Sequence, residues 1–190
     1  FVTHYCAPTF IFLAGTVLAI STIRRLRKGE SEWSVTMHLI KRGLVLLFLE
    51  AIFVSPAFSL PWTYFGVIAC IGTCLIIFSV TRKLPTKLIL AAGVLIILNH
   101  SFLDLSFITS RANWAWYVKA ILHEPNFERW PYFALYSIIP WIGVMCVGWA
   151  FGNYIEPKTR EEVRNLRTPL ILTGTASIIA FILVRYFNGY

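Results

Sequence analysis

Apolar runs of about the length of a membrane crossing recur along this chain, and they limit its fold more than any motif does. The first is the plainest: Pro8-Thr9-Phe10-Ile11-Phe12-Leu13-Ala14-Gly15-Thr16-Val17-Leu18-Ala19-Ile20 follows the polar and aromatic lip Thr3-His4-Tyr5 and ends at Arg24-Arg25-Leu26-Arg27-Lys28. Runs of this length read as transmembrane segments. Composition agrees, since 57% of the 190 residues are hydrophobic and 14% charged, against about 25% charged in soluble domains. Six spans can be drawn, at about 6–23, 43–60, 63–80, 86–108, 134–152 and 169–187. Helices are expected throughout, because the runs have helical length and none alternates as a strand would. The expected fold is an all-α polytopic bundle forming a single transmembrane domain over 1–190. It reads as a fragment of a larger domain, for the chain opens at Phe1 without an initiator methionine or a basic leader.

Basic residues set the orientation. Thirteen of the seventeen Lys and Arg fall in the connector 24–42, the turn after the third span and the loop before the last. The positive-inside rule puts those three segments in the cytoplasm and both chain ends outside. This also explains the net charge of +8 without invoking nucleic acid. Trp33, Val35, Leu39 and Ile40 could lay the connector on the membrane surface. On the other side, 109–133 is long and aromatic, with Trp114, Trp116, Tyr117, Phe127, Trp130 and Tyr132. Such rings suit an interfacial belt or the face of a sugar.

The cysteines Cys6, Cys70, Cys74 and Cys146 lie in or beside apolar segments, without metal-ligand spacing. They read as small packing residues. No phosphate loop, Ser-His-Asp order or metal motif is present, and the histidine placement is a poor match for haem. Glu50, one-third into the second span, should face the bundle interior, either in an ion pair or in a functional role. Asn99, His100 and Asp104 form a second polar group, with His100 and Asp104 four residues apart on one helix face. A carboxylate holding one imidazole nitrogen makes the other a better base, although the same pair also satisfies a semi-buried histidine. By topology His4, His100 and Asp104 all lie towards the outer leaflet. His4 and Tyr5 could equally anchor a helix end at the interface. His38 falls on the cytoplasmic connector, and His123 in the outer loop reads as solvated.

Thr3-His4-Tyr5-Cys6-Ala7-Pro8-Thr9-Phe10-Ile11-Phe12-Leu13-Ala14-Gly15 resembles the signature that opens the second helix of the heparan-alpha-glucosaminide N-acetyltransferase catalytic family, which has many bacterial members. Lys41-Arg42-Gly43-Leu44-Val45-Leu46-Leu47-Phe48-Leu49-Glu50 resembles its next motif. Tyr136-Ser137-Ile138-Ile139-Pro140-Trp141-Ile142-Gly143-Val144-Met145, with Gly148 and Gly152, resembles a third. The resemblance implies acyl transfer in a bacterial cytoplasmic membrane. The donor would be cytoplasmic acyl-CoA (acetyl-CoA), and the acceptor an amine or hydroxyl, often on a saccharide, on the outer side; no metal is implied. The catalytic histidine of the heparan enzymes lies upstream of the first signature, so its counterpart would precede Phe1. His4 then serves either as the base of the bacterial branch or as a neighbour of that base.

Under this reading Arg24, Arg25, Lys41 and Arg42 would hold the coenzyme phosphates, and Gly15 and Gly43 would leave room for the pantetheine arm. His4, or His100 held by Asp104, would be the base, and Asn99 or Tyr5 would donate to the oxyanion. Two other classes remain open: a transporter or flippase with Pro56, Pro140 and Glu50 along its pathway, and a structural membrane subunit, each able to form homo-oligomers.

Overall fold

The computed structural model describes residues 2–61, 63–102, 114–123 and 133–187, with backbone alone at 2–5, 101 and 185. Apart from one isolated β-bridge, all regular structure among the described residues is helical. The chain divides into two compact units, residues 1–153 and 154–190.

In the first unit, α1 runs Val2–Arg27 with Pro8 inside and Arg24, Arg25 and Arg27 in its last turn, where cations complement the helix dipole. Gly29, at φ 86°, turns the chain. Ser31 then caps α2 (Glu32–Leu49) by accepting from the Ser34 amide at 3.2 Å. A π-helical stretch, Glu50–Val54, and the short α3, Ser55–Ala57, prolong α2 without a break. The expected surface connector is therefore mostly helix, and only 28–31 form the turn. Val35, Leu39 and Gly43, each four residues apart and buried, explain this: the buried face of the second span starts two turns earlier than its apolar run.

The remaining helices of this unit are α4 (Val67–Thr81), α5 (Thr86–Asn99, with a 3₁₀ turn to Phe102), α6 (Trp114–Leu122) and α7 (Ile138–Ile155). In the second unit a Thr159–Glu162 capping box starts α8 (Arg160–Asn165), and α9 follows at Arg167–Phe187. Three segments are long and apolar enough to cross a membrane: Cys6–Arg27, Ile138–Ile155 and Arg160–Val184. The apolar helices α4 and α5 have 15 and 14 residues, about 21–22 Å at 1.5 Å per residue, against a hydrocarbon core of about 30 Å.

Glycine lets the helices of the first unit meet backbone to backbone. On α7, a Cβ at Gly148 would collide with the Phe12 carbonyl and one at Gly152 with that of Thr16, so α1 and α7 run parallel. Thr16 Oγ1 donates to the Gly148 carbonyl at 3.1 Å across this contact. Gly93 of α5 meets Gly143 of α7, and Gly43 of α2 meets Gly72 of α4. Gly15 and Gly43 consequently leave no channel for a pantetheine arm: the Met145 carbonyl occupies the space at Gly15, and Ile76 with the Gly72 carbonyl fills that at Gly43.

Arg82, its side chain 2% exposed, joins two turns at the basic end. It pairs with the Glu32 carboxylate at 2.7 Å and donates to the Glu32 carbonyl and to Thr36 Oγ1 at 3.1 Å each. At the opposite end Phe65 and Ala134 form a parallel bridge, and the Tyr117 hydroxyl donates to the Thr63 carbonyl. Glu50 is buried, and its Oε2 accepts from the Ala69 amide at 2.8 Å in the first turn of α4. The carboxylate thus caps a neighbouring helix, satisfying a donor that the uncapped Gly66 start leaves open. Among the described residues a backbone amide, not a cation, holds it.

Candidate active site

Two histidines meet where α5 ends. The last turn of α5 passes into the 3₁₀ turn at His100, and α6 brings His123 against it. His123 Nε2 lies 2.6 Å from the His100 carbonyl oxygen. A carbonyl only accepts, so Nε2 carries the hydrogen. By the same argument His100 Nδ1, 2.9 Å from the Ile97 carbonyl, is a donor, which leaves the His100 Nε2 lone pair as the basic atom. Both rings line a cavity of about 380 Å³ with Ser137, Pro140 and Trp141. Ser137 is 2% exposed, and its Oγ has no hydrogen-bond partner among the described residues.

His123 is therefore 8% exposed and part of this site, contrary to its reading as a solvated loop residue. The signal was a spacing of three: Tyr117, Ala120 and His123 share one face of α6, and Ala120 is 2% exposed. A segment read as an aromatic belt hid that face. The carboxylate expected beside His100, Asp104, lies outside the described residues, as do Phe127, Trp130 and Tyr132. His4 sits in the first turns of α1, with only its backbone described. Tyr5 is likewise described by backbone alone. Asn99 is exposed and donates to the Leu95 carbonyl of its own helix at 2.9 Å, so its amide is engaged away from the cavity.

At the basic end, Arg24, Arg25, Lys28 and Glu30 line an open groove of about 550 Å³. Arg25 is held by Glu30 at 3.0 Å. Lys41 and Arg42 are exposed on α2 and do not line that groove. Near them, burial and then the charges of Arg25 and Arg42 hold the His38 imidazole below its ordinary range. With the weaker effect of Lys41, three of the four expected phosphate ligands act on one histidine, but only Arg24 and Arg25 share a groove. No group of three or more metal-ligating side chains occurs among the described residues.

No curated protein and no solved structure matches the chain. The sequence pattern described as "Heparan-alpha-glucosaminide N-acetyltransferase, catalytic" matches residues 1–185. A match over nearly the whole length, carried on apolar helices of membrane-crossing length, is decisive: the chain belongs to the heparan-alpha-glucosaminide N-acetyltransferase catalytic family of membrane acetyltransferases.

Proposed function

We propose that the chain transfers an acyl group from cytoplasmic acyl-CoA to an amine or hydroxyl, on a saccharide, at the outer face of a bacterial cytoplasmic membrane. The observation that carries this reading is the orientation of His100. With Nδ1–H engaged by the Ile97 carbonyl, Nε2 is left as the ring atom to do the chemistry, and His100 lines a cavity that also holds the buried Ser137.

The reaction runs as follows. His100 Nε2 takes the proton of the acceptor as its nitrogen or oxygen attacks the thioester carbonyl. The Ser137 hydroxyl donates to the developing oxyanion. The carbonyl re-forms, the carbon–sulfur bond breaks, and the imidazolium returns its proton to the departing thiolate. His123 fixes the backbone at His100 and positions the base. We assign His4 a place beside this base and Asp104 the role of its carboxylate partner. The basic end, carrying Arg24, Arg25, Lys41 and Arg42, faces the cytoplasm by the positive-inside rule, and the donor enters there.

The test is acetyl transfer from acetyl-CoA to glucosamine by the purified chain in proteoliposomes. His100→Ala should reduce the rate by roughly 10²–10⁴-fold, the usual contribution of general acid–base catalysis. Ser137→Ala should lower kcat with little change in KM. Full activity in His100→Ala would remove this histidine from the chemistry and make His4 the next base to test.

A further inference from the structure

A second cavity, of about 480 Å³, lies at the basic end between α1, the α4–α5 turn and α7. Three of its lining residues each hold a buried polar atom without a hydrogen-bond partner among the described residues: Thr22 Oγ1, Arg82 Nε and Trp149 Nε1. The residues are 3%, 7% and 4% exposed. Two of these atoms are obligate donors, and the hydroxyl can donate. Buried donors are almost always satisfied, so three orphans from three helices or turns around one cavity call for an acceptor. The rest of Arg82 is fixed by Glu32 and Thr36, which holds the guanidinium in place.

The charge of the lining favours an anion. Lys83 adds a second cation beside Arg82, against one carboxylate, Glu32, which Arg82 already holds at 2.7 Å, so the lining carries +1 overall. The 14-residue α5 starts at the lining residue Thr86 with no side-chain cap, so its positive end lies at the cavity. We propose that this cavity binds a phosphate group entering from the basic end, with Thr22, Arg82 and Trp149 donating to its oxygens. The phosphate belongs either to the acyl donor or to an anionic phospholipid headgroup. The donor assignment rests on the acyl-transfer reading, whereas the phosphate pocket does not. Between Thr86 here and Ile97 at the histidine cavity, α5 rises about 16 Å over eleven residues, so a ligand held here by its phosphate would reach the histidines only through an extended arm.

Binding, not turnover, tests the pocket. Thr22→Val removes one donor and keeps the shape, so in the ligand-free protein it should not lower stability; Trp149→Phe removes another but also trims a buried ring packed on Phe78, so its own stability is measured alongside. Coenzyme A affinity, titrated calorimetrically on the purified chain in detergent, should fall roughly tenfold in each variant, as expected for a hydrogen bond to a charged group. Inorganic phosphate should compete with coenzyme A in the wild type. If coenzyme A binds wild type and variants alike, but nanodiscs with phosphatidylglycerol stabilise the wild type more than the variants, the phosphate is a lipid's and the donor assignment falls. If coenzyme A, phosphate and phosphatidylglycerol all fail to distinguish wild type from variants, the cavity holds water and the proposal is overturned. Binding here by a chain that transfers no acyl group would keep the pocket and sink the reaction.

Discussion

Gly152→Ala should loosen the α1–α7 contact without touching either cavity's polar groups. The added Cβ would lie 2.5 Å from the Thr16 carbonyl oxygen and 2.7 Å from the Ala19 Cβ. Ordinary contact begins near 3.4 Å, so the helices must separate by most of an ångström. Overpacking of this kind costs about 1–3 kcal/mol. Separation also stretches the 3.1 Å bond from Thr16 Oγ1 to the Gly148 carbonyl, worth roughly 1 kcal/mol. Alanine's better helix propensity returns about 0.5–1 kcal/mol. The expected net loss is about 1–3 kcal/mol, read as a lower midpoint on titrating dodecyl sulfate into mixed micelles. Ala19→Gly in the same chain removes the second clash but not the first, so it should restore part of the loss. A Gly152→Ala protein as stable as wild type, or one that Ala19→Gly fails to improve, would refute the close parallel packing.

Removing the Glu50 carboxylate has a different cost. Glu50→Ala leaves the Ala69 amide buried without its acceptor and opens a cavity, for an expected loss of roughly 2–4 kcal/mol in the same titration; Glu50→Gln, which still offers an oxygen, should lose less. The depressed His38 imidazole makes stability depend on pH. The unfolded chain binds a proton there at pH values where the folded one does not, so stability rises with pH through the region just below 6.5 and is lost as pH falls below it. Arg25→Gln removes a charge that disfavours the imidazolium, and should raise the His38 titration midpoint seen by NMR and flatten that slope.

The sequence carried the class of the fold because length and hydropathy decide it: a run such as 6–23 must be a helix in lipid. It carried the helix contacts less directly. Gly15, Gly43, Gly148 and Gly152 were visible as small residues, yet smallness fits a ligand channel and a helix crossing equally well. Only the partner backbone separates the two. Glu50 was legible as an interior carboxylate, but its partner is an amide 19 residues on, and no charge pattern announces an amide. That contact leaves less for a transport pathway to recruit. His100 was legible as a polar residue near the end of the fourth span; the contact of His123 with it was not, because that depends on how α6 returns over the end of α5. Thr22, Arg82 and Trp149 lie far apart in sequence, with nothing in common until folding joins them.

The parallel contact between α1 and α7 also sets a schedule for biogenesis. Thr16 and Gly148, which bond in the folded protein, are 132 residues apart. At about 5–20 residues per second, roughly 7–26 s of synthesis separate the two helices. Throughout that interval the partner that Gly148 and Gly152 will bring to this face of α1 is not yet made. Something else must cover that face until α7 arrives, so the α1–α7 contact closes only after every helix between them has been made.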